Sequence, residues 1–141
     1  MKLRVVLPGL TALFFSVTAI AEGVSINPGE WEMTSSMSMT MMPQPRVTTV
    51  KECIKESELN PADFNMDENN PCNITDVIID GGSASWSISC PTEGGPVMEG
   101  RWEFTSSGDS ISGSGKMTAD YASQAMGFDM TWTGKRIGDC D

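Results

Sequence analysis

A run of methionines near the start of the chain is the part of this sequence best suited to chemistry. Met37, Met39 and Met41 alternate with small polar residues, so on a β-strand they would share one face. Thioether sulfurs are soft ligands suited to Cu(I), which makes the stripe a candidate soft-metal site. The competing interpretation is a core face, because the alternation begins with Trp31 and Met33 and a metal site has no need of a tryptophan. We expect a core face with no metal or other cofactor, and Cu(I) binding is the alternative.

Catalytic motifs are missing from the sequence. The chain contains no histidine, which removes the usual general base of serine and cysteine hydrolases and the commonest zinc ligand. It also lacks a Gly-x-Ser-x-Gly nucleophile elbow. Glu30, Glu32, Glu99 and Glu103 fall on the polar side of alternating segments, whereas a paired-carboxylate site needs one carboxyl group desolvated. The sequence therefore favours a binding protein, and an enzyme of unknown class is the least favoured hypothesis.

Four cysteines are present, at Cys53, Cys72, Cys90 and Cys140. No two of them form a Cys-x-x-Cys pair, which favours two disulfides over a zinc or thioredoxin-like site. Cys72 and Cys90 flank a hairpin predicted to turn at Gly81-Gly82, so they lie nearly opposite each other. If the segment 54–71 crosses from one end of the sheet to the other, Cys53 and Cys140 share the remaining end. If it does not cross, Cys53, Cys72 and Cys90 crowd together. We predict the crossing, with the pairs Cys72–Cys90 and Cys53–Cys140.

Alternation of apolar and polar residues with a period of two predicts an all-β fold. The alternating segments are Glu30 to Thr40, Ser83 to Cys90, Met98 to Phe104, Ile111 to Met117 and Phe128 to Thr133, and turn residues separate them. Arg46 to Cys53 and Asn73 to Asp80 bring the total to about seven strands, mostly in hairpin order. Gly113 and Gly115 fall on the inward face, which indicates curvature or a large ring packed close by. We expect a single curved antiparallel sheet, half-barrel or barrel-like.

One segment departs from this alternation. Asn60-Pro61-Ala62-Asp63 has the form of an N-cap followed by proline at the first helical position. We therefore predict one short helical segment near 57–66.

The inward face of the sheet is the candidate ligand or partner surface. Its predicted members are Trp31, Met33, Met37, Met39, Trp86, Trp102, Met130 and Trp132. Surfaces rich in methionine repack around varied apolar guests. The leading hypothesis is a non-catalytic domain that binds an apolar small molecule or an envelope protein.

The first 21 residues have the pattern of a secretory signal. Lys2 and Arg4 precede an apolar run, and Ala19-Ile20-Ala21 supplies the small residues that signal peptidase needs. We expect cleavage after Ala21, no membrane anchor after processing, a single β domain over 22–141, and a periplasmic location. The formal net charge of −10 disfavours binding to nucleic acid, because the phosphate backbone repels it.

The order of several landmarks resembles an exported proteobacterial family, the domain of unknown function 3617. The matching elements are Pro28-Gly29-Glu30-Trp31-Glu32, the tract Met37 to Pro45, the cysteines at 53, 72 and 90, and the ending Gly134 to Cys140. The resemblance covers nearly all of the chain after the signal. It implies a small exported domain, and the family supplies no catalytic residues.

Overall fold

A computed structural model describes residues 23–42, 44–64 and 72–141, with the side chain of Phe64 left out. The predicted signal segment 1–21 and the predicted mature start at Glu22 lie outside the described residues. The elements within these ranges are β1 (Val24–Ser25), β2 (Gly29–Met39), β3 (Arg46–Ile54), β4 (Glu58–Leu59), a 3₁₀ helix (Pro61–Phe64), β5 (Asn73–Asp80), β6 (Ser83–Cys90), β7 (Met98–Ser106), β8 (Ser110–Tyr121) and β9 (Gln124–Gly138).

The main sheet has seven strands in the order β3-β2-β9-β8-β7-β6-β5. Every neighbouring pair is antiparallel, and apolar and polar residues alternate between its two faces. In the described residues the edge strands β3 and β5 do not pair with each other, so the sheet is not closed. Residues of β3 and β6 nevertheless line one common cavity. The predicted curved, all-β sheet is therefore confirmed, in an open form.

Turns of two or three residues join three of the six neighbouring strand pairs, β5–β6, β7–β8 and β8–β9. Gly81 takes φ 57° in the β5–β6 turn, a conformation that glycine adopts without steric cost. The β8–β9 turn instead places Ala122 at φ 49° and Ser123 at φ 65°, and neither is a glycine. Positive φ at both central residues matches the twist of the flanking strands, so the ladder on either side favours this turn.

A short segment from the N-terminal side fills one end of the concave face. β1 pairs antiparallel with β4, and Val24 and Ile26 are 0% and 2% exposed. The Ile26 amide donates to the Ser57 carbonyl (2.9 Å), and the Asn27 amide donates to the Gly108 carbonyl (3.0 Å). We call the residues 24–26 the plug, and the end of the sheet that it occupies the plugged end.

Both predicted disulfides are confirmed. Cys53 bonds to Cys140 and Cys72 bonds to Cys90, with Cα separations of 5.6 Å and 4.2 Å. β3 ends at the plugged end and β5 begins at the opposite end, because the alternating directions of the strands require it. The chain between them therefore crosses the sheet, as the predicted pairing required.

The predicted helical segment is confirmed in a shorter form. The amide of Ala62 donates to Oδ1 of Asn60 (2.9 Å), which caps the 3₁₀ helix as expected. The helix covers 61–64 and not 57–66, because Glu58 and Leu59 pair with β1 as strand β4. Residues 65 and 66 lie outside the described residues.

Candidate functional site

Aromatic rings occupy the middle of the concave face. Trp86 on β6 lies directly opposite Trp102 on β7, and the rings of Trp102 and Trp132 have centroids 5.4 Å apart at 37°. Trp86 also meets Phe104 edge to face, with centroids 5.8 Å apart. These contacts pack the rings against one another across neighbouring strands of the concave face.

Two glycines of β8 make room for these rings. A Cβ at Gly113 would lie 2.2 Å from Cζ2 of Trp132, and a Cβ at Gly115 would lie 2.4 Å from Cδ2 of Trp102. Any larger residue at either position would displace the ring. The predicted packing of a large ring against the inward glycines is thus confirmed, and the reason is steric.

A cavity of about 410 Å³ lies on the concave face beside the plug. Most of its lining is apolar, and it is contributed by Met33, Val50, Ile54, Leu59, Trp86, Ile88, Trp102, Phe104, Ile111, Met130 and Trp132. Its size and composition fall in the range of small-molecule binding sites, which are concave and mostly apolar. The geometry therefore suits an apolar guest.

A few polar groups also line the cavity. Ser35 of β2 is half-buried there, while Glu52 of β3 and Asp63 of the 3₁₀ helix are exposed. None of the lining residues is a lysine or an arginine. The charge that a guest would meet at this cavity is therefore negative.

The predicted site residues divide into three groups. The five that line the cavity are Met33, Trp86, Trp102, Met130 and Trp132. Trp31 is 0% exposed and packs with Ile26 behind the cavity, where its Nε1 donates to the carbonyl of Asn27 (3.0 Å). Met37 and Met39 lie farther along β2, away from the plugged end.

The strand arrangement predicted for the methionine stripe needs one correction. Strand β2 ends at Met39, so Met41 lies in the turn that follows, and it is 76% exposed. Met37 is half-buried and lies directly opposite Arg46 and Met130. The alternating face therefore holds Met37 and Met39 only, because the chain leaves the sheet at Thr40.

Several lining residues were absent from the predicted set. Ile88, Phe104 and Ile111 belong to alternating segments, so the period-two pattern contained the signal that could have found them. Leu59 and Asp63 come from the crossing segment, and no local pattern indicates that it packs against the concave face.

The described residues contain no metal site built from histidine, cysteine or carboxylate ligands. Within residues 23–42, 44–64 and 72–141, no group of three or more histidine, cysteine, aspartate or glutamate residues is placed to hold a metal ion.

None of the helices in the described part of the chain has the length and apolar character needed to cross a membrane. The two disulfides fit an oxidising, exported environment.

Comparison with known proteins gives one match. A protein-family model described as "Protein of unknown function (DUF3617)" matches residues 26–140. No curated protein and no solved structure matches the chain.

Proposed function

The chain belongs to the DUF3617 family of unknown function, and we propose that it binds an apolar small molecule in the concave cavity. The observation that carries this proposal is the cavity of about 410 Å³, lined largely by tryptophan, methionine and aliphatic side chains. A cavity of this size accommodates much of a small organic molecule, and apolar lining is the usual source of affinity for such ligands.

Preorganised walls support the proposal. The Trp102–Trp132 ring pair and the glycines beneath it set the shape of one wall before any ligand arrives. A rigid site avoids the entropic cost of ordering side chains on binding, which strengthens the affinity obtained from a given buried area.

The negative charge at the cavity limits the kinds of ligand that can bind there. Glu52 and Asp63 line the cavity, no basic side chain does, and the whole chain carries a formal charge of −10. An anionic amphiphile such as a fatty acid would be repelled at such a site. The ligand class that fits is uncharged or carries a positive group beside its apolar part.

The proposed role is binding without catalysis in the periplasm. The two cavity carboxylates are exposed to solvent, and the chain has no histidine to act as a general base beside them. The two disulfides agree with an oxidising compartment, and the signal pattern of Met1 to Ala21 would direct the chain there.

Fluorescence titration with N-phenylnaphthylamine tests this function, because this uncharged apolar dye brightens on leaving water. The informative variant is Val50→Trp, since Val50 is a partly exposed lining residue and a larger ring there would obstruct the cavity from its open side. The matched control is Val47→Trp on the same strand. Val47 pairs with Ser36, so it lies on the opposite face from Val50, which pairs with Met33.

We expect saturable dye binding by the wild type and by Val47→Trp, and strongly weakened binding by Val50→Trp. Equal binding by the two variants would contradict the cavity as the site. Native mass spectrometry of protein purified from the periplasm shows whether the chain retains a small molecule or a protein partner. A retained small molecule supports the proposal, whereas a retained envelope protein in its place would favour a protein partner.

A further inference from the structure

A second depression, at the end of the sheet opposite the plug, is lined by five methionines. Met39, Met41, Met42, Met98 and Met126 surround a volume of about 520 Å³. Four of them are well exposed, with Met39 at 43%, Met41 at 76%, Met42 at 47% and Met126 at 39%. Met98 is half-buried and packs against the core, but core packing does not explain the four exposed methionines, whose side chains keep a large share of their surface in water.

Hydrogen bonds hold the end of β2 against β9 at the edge of this depression. Met39 pairs with Phe128 at the last step of the β2–β9 ladder. The next residue, Thr40, donates its amide to the carbonyl of Gly127 (3.0 Å), and its Oγ1 accepts from the amide of Gly127 (3.1 Å). These bonds hold the chain at Thr40 against Gly127, so Met41 in the turn that follows and Met126 next to Gly127 line the same depression.

The turn and the neighbouring strands bring in the other two thioethers. The Met42 amide donates to the Met39 carbonyl (3.0 Å), so this turn folds Met42 back toward Met39. Met126 pairs with Ala119 on β8, and the register of Glu99 with Thr118 places Met98 beside Ala119 on the other side. The small side chain of Ala119 leaves space through which Met126 and Met98 can approach each other.

The donor chemistry selects the ligand. The chain has no histidine, and all four of its cysteines are in disulfides, so thioethers are its only soft metal ligands. Among the residues that the structure describes, no charged side chain lines the depression. Met37 lies outside it and opposite Arg46, whose positive charge disfavours a cation there. Neutral thioethers in a chain of net charge −10 favour a soft monovalent cation over hard divalent ions.

We propose that the methionines 39, 41, 42, 98 and 126 form a binding site for Cu(I). Flexible thioether side chains from the end of β2 and the turn after it, from β7 and from β9 supply the ligands, and Phe128 lines the same depression. The site is separate from the concave cavity, since the two share no lining residue. It does not depend on the binding of an apolar ligand.

Competition with the chelator bathocuproine disulfonate under anaerobic conditions tests the site. Cu(I) is generated with ascorbate, because a thiol reductant would open the disulfides. The test variant combines Met41→Leu, Met98→Leu and Met126→Leu, which keeps the surface apolar and removes three thioethers. The matched control is Met33→Leu with Met130→Leu, two methionines of the cavity. Native mass spectrometry with Ag(I), a soft ion that is stable in air, gives the stoichiometry.

We expect one Cu(I) per wild-type chain and per control chain, and no Cu(I) retained by the triple variant. Met41→Leu alone alters a side chain that is 76% exposed and so leaves the packing intact. Its affinity should fall by about tenfold because one ligand is lost. Failure of the wild type to compete with the chelator would overturn the proposal, as would equal retention of Cu(I) by the wild type and the triple variant.

Discussion

The indole Nε1 of Trp102 donates a hydrogen bond to Sδ of Met117 on the concave face of the sheet, with 3.3 Å between the two atoms. Both side chains are buried, and Met117 is 2% exposed. A buried indole N–H needs an acceptor, and the thioether is a weak acceptor that also fills apolar space. Met117 thus serves both as packing and as a polar partner, unlike the exposed methionines at the end of the sheet.

Replacing Met117 with leucine tests that relationship. The change roughly conserves volume, but it leaves the Trp102 N–H without this acceptor, so we expect a loss of about 1–2 kcal/mol in the free energy of unfolding. The comparison is the triple variant Met37→Leu, Met39→Leu and Met41→Leu, for which we expect about 1 kcal/mol per site or less. Urea denaturation measures both. A Met117→Leu variant as stable as the wild type would refute the role of the sulfur.

Gly115→Ala should destabilise the protein because the new Cβ would lie 2.4 Å from the Trp102 ring. Relieving that overlap requires the ring to shift within a packed face, at a cost of about 1–3 kcal/mol. Gly138→Ala on β9 is the control, since a Cβ there meets nothing within 4 Å. Thermal unfolding of the two variants should differ clearly. Equal melting temperatures would mean that the ring has room to move.

The two disulfides should contribute unequally to stability. Cys53–Cys140 spans 87 residues and Cys72–Cys90 spans 18. In the chain-entropy model these loops correspond to about 4–5 and about 3 kcal/mol, because the longer loop restricts the unfolded chain more. We therefore expect Cys53→Ala with Cys140→Ala to lower the free energy of unfolding more than Cys72→Ala with Cys90→Ala. The reverse order in urea denaturation would contradict this account.

The β8–β9 turn offers a stabilising change. Ala122 and Ser123 both have positive φ, which costs free energy for residues other than glycine. Ala122→Asn together with Ser123→Gly restores the residues that such turns prefer, and we expect a gain of about 1 kcal/mol. The reciprocal control is Gly81→Ala, where φ is 57° and the space around a Cβ is open, so only backbone strain should lower stability. Calorimetry of both variants measures these opposite shifts.

The residues that face inward along each long strand could be predicted from the sequence. Alternation is a local property, because successive side chains on a strand point to opposite faces. For that reason Trp86, Trp102 and Trp132 could be assigned to one face, and the inward Gly115 could be paired with a large ring. The Cys72–Cys90 pair followed as well, because the two cysteines flank one hairpin, whereas Cys53–Cys140 required the further prediction that the segment 54–71 crosses the sheet.

The packing of the plug on the concave face could be seen only in the tertiary structure. Val24 pairs with Leu59, and two-residue strands are too short to show a period, so the plug leaves no mark in the sequence. The methionine cluster at the opposite end of the sheet also depends on tertiary structure, because the register of β2, β7, β8 and β9 brings Met98 and Met126 near Met39. Contacts between distant segments depend on how the strands align, and local side-chain patterns do not encode that alignment.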